Sequence, residues 1–188
     1  MSEQQRLAEQ IEQAKTALMI RPNDPFQRNR LGNLYRQAGR LEEAIVAHKR
    51  VIAIDPNLAD GQFNLGLDYM AREDFASAAP ALKEATKLKP EHAESWYRLG
   101  QCQARLAQWD ESSASFRQAL KVKPDYAAAY CNLGLCLRVL GQVDDAIAAY
   151  ERALEMQPDE QTALTNLIAA LRAKGDIATA EARLRKLA

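Results

Sequence analysis

The chain has 188 residues, with 25 Lys+Arg against 25 Asp+Glu and a formal net charge of zero. That balance argues against bulk attraction to nucleic acid or to an anionic membrane. No apolar run approaches the roughly 20 residues a membrane helix needs, and the length predicts one array rather than two globular domains.

The first ten residues, MSEQQRLAEQ, carry charge and no apolar stretch, so no signal peptide is expected there. Residues 3–20 read as one helix, with Leu7, Ile11, Ala14 and Leu18 at helical spacing. They match the second helix of a unit whose first helix is missing, which predicts a capping helix over 3–24.

From Pro22 onward the chain repeats itself. Pro22, Pro56, Pro90, Pro124 and Pro158 are each 34 residues apart, and Leu31, Leu65, Leu99, Leu133 and Leu167 keep that interval. So do Gly32, Gly66, Gly100 and Gly134. A fixed period in this range means a repeat array. Full units are expected at 25–58, 59–92, 93–126 and 127–160, and a closing hairpin at 161–188.

The unit at 127–160 shows why each copy folds as a helical hairpin. Tyr130, Leu133, Leu137 and Leu140 mark one helix. Gly141 stops it, because Gly tolerates the left-handed turn a helix C-terminus needs. Asp144 and Asp145 then suit the positive end of a second helix, whose apolar face is Ala146, Ile147, Tyr150, Ala153 and Leu154. Pro158 lies just past its end. Gly134, inside the first helix, costs about 1 kcal/mol relative to Ala. The expected compensation is close approach of the paired helix, aided by the small residues Ala44, Ala78, Ser112, Ala146 and Ala180.

Two units depart from the pattern. Pro80 falls inside a second helix, where it removes one backbone bond; it either bends that helix or sits in an exposed early turn that tolerates it. In the last unit Ile168 replaces the repeated Gly, and the second helix is expected from Ile177 to Leu187.

The spacing Trp96, Leu99, Gly100, Phe116, Ala119, Pro124, with Leu31, Gly32, Tyr35, Ala44, Pro56 and Leu65, Gly66, Tyr69, Ala78, Pro90, resembles the tetratricopeptide repeat family. The resemblance covers nearly the whole chain. It implies an all-α, right-handed superhelical solenoid of antiparallel helix hairpins. First helices would line a concave groove, and second helices the convex face.

The resemblance also implies that positions 2, 5, 6, 9, 12 and 13 of each unit face the groove. Position 6 gives a polar ladder of Arg30, Asn64, Arg98, Asn132 and Asn166. Arg forks onto a carboxylate, and Asn both donates to and accepts from a peptide backbone. A similar asparagine ladder runs along the repeats of O-linked N-acetylglucosamine transferase. The alternative is that these Asn bond neighbouring backbone. The co-chaperones that grip C-terminal carboxylates of heat-shock chaperones are similar in part: Asn33, Asn64 and Arg98 match three of their five clamp residues. Asn29 and Glu94 stand where the two lysines belong.

On those positions Arg30, Arg36, Arg98, Arg105, Arg138 and Arg172 face Asp60 and Glu94, leaving a groove charge of +4. Phe63, Leu67, Met70 and Tyr97 form an apolar strip, unless Phe63 and Tyr97 pack between units instead.

Reactive chemistry is sparse. His48 takes a packing position, His92 falls in a turn, and neither has metal-ligand spacing. Cys102 and Cys136 share one small-residue site and read as buried, while Cys131 on the groove side is a candidate reactive thiol. Three cysteines without a CxxC pair predict a reducing compartment, most simply the cytoplasm. There is no phosphate-cradling loop or nucleophile elbow, so no catalytic residue, metal or cofactor is expected.

The leading reading is a non-enzymatic interaction scaffold or adaptor that binds an acidic or carboxylate-ended peptide. Its expected binding residues are Arg30, Asn33, Phe63, Asn64, Tyr97, Arg98, Arg105, Asn132, Arg138 and Asn166. Two other readings stand beside it: a homo-oligomer assembled through its end hairpins, and the substrate-selecting arm of a larger enzyme. Neither nucleic-acid binding nor membrane insertion is expected.

Overall fold

The computed structural model describes residues 2–184. The expected end of the last helix at Leu187 lies outside them. Among the described residues there are eleven α-helices and no strand. They divide into two compact units, Met1–Glu91 and His92–Ala188.

Unit 1 holds α1 (Glu3–Ile20), α2 (Pro25–Gln37), α3 (Leu41–Ile54), α4 (Ala59–Ala71) and α5 (Phe75–Leu88). Ser2 caps α1 through a reciprocal box with Gln5, and Asp24 caps α2 ahead of Pro25 at its first position. Ile11, Ala14 and Leu18 of α1 bury against Leu31, Leu34 and Tyr35 of α2, so α1 closes the apolar flank of the first hairpin. Helix α5 runs through Pro80 without a break, and the ring lies on its exposed side.

Unit 2 holds α6 (Ala93–Arg105), α7 (Trp109–Val122), α8 (Ala127–Val139), α9 (Val143–Met156), α10 (Gln161–Lys174) and α11 (Ile177–Leu184). Its core centres on Phe116, Leu133, Leu137, Tyr150 and Leu167, with Ala146 and Ala180 at the tight crossings. At another such crossing Ser112 donates its hydroxyl proton to Gly100 O at 2.8 Å.

The repeated Gly has a steric cause. A methyl group on Gly134 would sit 2.7 Å from Cε1 of Tyr150, and one on Gly100 would sit 2.8 Å from Cε1 of Phe116. The large residue 16 positions on packs directly against each Gly, which offsets the lost helix propensity. In unit 1 the same place over Gly32 is taken by His48.

Five hairpin turns share one left-handed residue: Gly39, Glu73, Ala107, Gly141 and Gly175, with φ between 58 and 88°. In each, the next N–H reaches back to the carbonyl five residues earlier, as in Gln142 to Leu137 at 2.8 Å. Glu73 and Ala107 adopt this conformation with a side chain, at a cost of roughly 1–2 kcal/mol.

Candidate functional site

In unit 1, Asn33 and Arg36 of α2 and Asn64 of α4 form one bonded cluster. Nη1 of Arg36 donates to Asp68 Oδ1 at 3.0 Å and to Asn64 O at 3.2 Å. Nη2 donates to Asn33 Oδ1 at 2.8 Å and Asn64 Oδ1 at 3.2 Å. Asn64 in turn donates to Asn29 Oδ1 at 3.0 Å and is only 7% exposed. On its other side Asp68 Oδ2 lies 2.5 Å from Nδ1 of His48, and both residues are fully buried.

Asp68 is the residue that sequence reasoning missed. It occupies a register held by Leu34, Cys102, Cys136 and Ala170 in the other copies, so it reads as a core position. Its signal was the coincidence of a carboxylate there, a His in place of the packing residue, and Arg36. A buried carboxylate needs partners, and these two satisfy it. The cluster also changes the charge count: Asp60 and Asp68 balance Arg30 and Arg36, leaving the first-helix face of unit 1 neutral. Arg30 itself is exposed, and Phe63 is half-buried.

In unit 2 the polar side chains are arranged differently. Glu94 Oε1 accepts from Arg98 Nε at 2.7 Å, and its Oε2 accepts from Tyr126 at 2.5 Å. The Tyr97 hydroxyl accepts from Gln101 and from Asn132, each at 3.1 Å, while its ring stacks on Tyr126 at 4.7 Å. Asn132 also donates to Ala128 O at 3.1 Å. Burial pushes the Tyr126 phenol up, and its bond to the Glu94 carboxylate adds to that rise.

Asn166 hydrogen-bonds Cys131, whose thiol is pushed up mainly by burial. Its raised pKa argues against a reactive thiolate there. Burial pushes Cys102 up to about 12, and both Cys102 and Cys136 are fully buried. A cavity of about 200 Å³ opens between α8, α9 and α10, beside Ala128, Cys131, Asn132 and Gln157.

On the groove register of α6, α8 and α10, Arg98, Arg105, Arg138 and Arg172 face a single Glu94. The positive charge expected of the groove therefore resides on unit 2. Arg138 is half-buried, while Arg105 and Arg172 are exposed. Among the described residues no cluster of His, Cys, Asp and Glu could hold a metal ion, and no helix is long and apolar enough to cross a membrane.

Sequence patterns of the tetratricopeptide repeat match residues 63–107, 104–160 and 137–188, and a TPR repeat pattern matches 32–71. No curated protein matches the chain. Among solved structures, YrrB, a TPR protein with an unusual peptide-binding site, is 21% identical. It superposes with a TM-score of 0.83 over 92% of this chain and 89% of its own. MamA is 28% identical, with a TM-score of 0.83 over 86% of this chain and 88% of its own. A fragment of MamA from Desulfovibrio magneticus RS-1 is 22% identical, with a TM-score of 0.80 over 86% of this chain and 92% of its own. The helix hairpins, their 34-residue spacing and these matches agree: the chain belongs to the tetratricopeptide repeat family.

Proposed function

We propose that the chain binds an acidic peptide segment on the first-helix face of unit 2, along α6, α8 and α10. Membership of its family makes it a protein-interaction scaffold; the peptide, its charge and the face are the further reading. The observation that carries it is the excess of Arg98, Arg105, Arg138 and Arg172 over Glu94 on one register, in a chain of zero net charge. Arg anchors of this kind are frequent hot spots, and stacked helices hold them in place before the ligand arrives. Asn132, whose nitrogen is bonded to Tyr97 and to Ala128 O, and Asn166, bonded to Cys131, offer amide oxygens that accept from a peptide backbone. The cavity beside Cys131, lined also by Glu160, leaves room for one small neutral side chain. Arg30, Asn33, Phe63 and Asn64 belong to a lesser contact at most, because the unit 1 cluster already uses Asn33 and Asn64.

The test is a panel of extended peptides, acidic, neutral and basic, titrated by fluorescence anisotropy. Wild type should prefer the acidic set. Arg105→Glu/Arg172→Glu should weaken it at least tenfold, while Arg30→Glu should change it little. Equal affinity for the three peptide classes would overturn the reading.

The N-terminal end favours self-association as a second reading. Met19, Ile20 and Phe26 are 80, 78 and 69% exposed around the α1–α2 junction. Sedimentation across a concentration series should then show a mass that rises, and Met19→Glu/Phe26→Glu should abolish the rise. A constant monomer mass would remove this reading.

A further inference from the structure

We propose that Arg138 and Tyr150 form a carboxylate-binding subsite in unit 2, in the place that unit 1 fills with its own Asp68. The inference rests on the acidic-peptide reading only for the source of the carboxylate.

The two places correspond residue for residue. Three repeat periods separate Arg36 from Arg138, His48 from Tyr150, Asn64 from Asn166, and Asp68 from Ala170. The surroundings repeat as well. His48 lies against Gly32 as Tyr150 lies against Gly134. Asn64 bonds Asn29, and Asn166 bonds Cys131, which stands three periods after Asn29. Two acceptors are missing: Ala170 is buried where Asp68 is buried, and Leu135 stands where Asn33 accepts from Arg36.

Without those acceptors, polar hydrogens of the fourth copy go unmatched. Arg138 donates to the Tyr150 oxygen, yet its Nε is buried without a partner and the Tyr150 hydroxyl proton meets no acceptor. Arg138 makes no ion pair among the described residues, whereas Arg36 is bonded through both terminal nitrogens. A buried donor without an acceptor bears its full desolvation cost. Burial pushes Tyr150 up to about 12, partly offset by Arg138 beside it, so the phenol keeps its proton and donates. With the phenol oxygen accepting from Arg138, what the pair still offers is the phenol proton and the guanidinium Nε–H, both donors. Their occupant must accept hydrogen bonds and carry negative charge, and a planar carboxylate suits the Arg fork.

The arrangement is not a default of the repeat. At the same three registers the two intervening copies carry Met70, Leu82 and Cys102, and Ala104, Phe116 and Cys136, with no charge at all. Polar groups recur only in the first and fourth copies, once with an internal carboxylate and once without.

Two measurements test the subsite. In the first, Ala170→Asp supplies the carboxylate from within. It should melt within about 3 °C of wild type, and adding Arg138→Met should lower the melt by about 10 °C as the new charge loses its partner. Equal losses from Ala170→Asp in both backgrounds would overturn the proposal. In the second, sodium acetate is titrated into ¹⁵N-labelled wild type, with sodium chloride as control, and the Arg138 Nε–H resonance is followed. A saturable shift with acetate alone, absent in Ala170→Asp, is expected. No shift, or the same shift with chloride, would overturn the proposal even if the Asp variant fails to fold.

Acetylglycine and acetylglutamate methylamide then tell a terminal carboxylate from a side-chain one, since the true source should give the tighter binding. A saturable acetate shift without preference for acidic peptides would leave the subsite standing and remove the peptide reading. Acidic peptides that bind while acetate leaves Arg138 unmoved would do the reverse.

Discussion

The two units solve the same packing problem with different chemistry. In unit 1 Leu82 covers Gly66 but an imidazole lies over Gly32, and its nitrogen is tied to a buried carboxylate that also holds Arg36. In unit 2 two Gly are covered by the rings of Phe116 and Tyr150, Arg98 pairs with Glu94 of its own helix, and Arg138 has no carboxylate partner among the described residues. Unit 1 has turned its polar groups inward to bind each other. Unit 2 has kept its positive charge on the surface. A repeat scaffold can therefore assign binding to one part of its length by moving a single carboxylate in or out of the core.

The sharpest way to break this comparison is to empty the unit 1 cluster. Asp68→Ala leaves Arg36 without its carboxylate and His48 Nδ1 without its hydrogen bond, and should cost about 3 kcal/mol in urea denaturation at pH 7. Replacing the whole set with the residues of the next copy, Arg36→Met/His48→Leu/Asp68→Cys, should restore stability to within about 1 kcal/mol, since a well-packed apolar core replaces a buried ion pair at little loss. If the triple variant is as damaged as the single one, the cluster contributes more than charge balance.

Gly134→Ala tests the packing of unit 2. The added methyl meets a ring held on all sides, so the overpacking penalty should exceed the gain in helix propensity and leave a net loss of about 2 kcal/mol. A neutral result would mean that Tyr150 can swing away, and would weaken the subsite it helps to form.

The units should also differ in alkali. Tyr150 and Cys102, both in unit 2, are pushed up to about 12 by burial from ordinary values of 10.0 and 9.0. The unfolded chain ionises these groups first, so their contribution is complete below pH 9 and is lost as pH rises from 9 toward 12. Urea midpoints measured from pH 8 to 11 should fall, and Cys102→Ala should flatten the fall. Tyr150→Phe should flatten it further while costing about 1 kcal/mol at pH 7, since only the bond from Arg138 is lost. Tyr97→Phe, whose hydroxyl accepts two bonds, should cost about 1–2 kcal/mol at pH 7.

The smallest effect is one in which the units should agree. Glu73→Gly in unit 1 and Ala107→Gly in unit 2 relieve left-handed residues at equivalent turns, with φ of 60 and 58°. Each should raise stability by about 1 kcal/mol in thermal denaturation. A gain in only one would show that the two turns carry different strain.

Much of the scaffold was legible in the sequence. Leu133, Leu137, Tyr150 and Ala153 occupy the core positions that their spacing predicts, and Gly141 makes the left-handed turn expected of it. The close approach at Gly134 could be inferred because a helix-breaking residue kept its register in four copies. Glu73 and Ala107 escaped notice because a side chain in that conformation gives no compositional signal. The candidate face was less legible. Asn64 stands on the ladder register, yet the structure buries it under Arg36 and joins it to Asn29. Arg98 is joined to Glu94, which stands where a clamp lysine belongs.

The sequence by itself determined what is local and periodic: where helices start and stop, which side is apolar, and how each hairpin closes. These follow from neighbours a few residues apart, and the 34-residue repeat states them several times over. Only the tertiary structure decided which polar groups are consumed within the fold. Arg36 and Asp68 are 32 residues apart, and His48 and Asp68 are 20 apart. Whether a charge is neutralised depends on the side chain that packing brings to within 3 Å of it. A pattern read along one helix face carries no record of what the next helix places there.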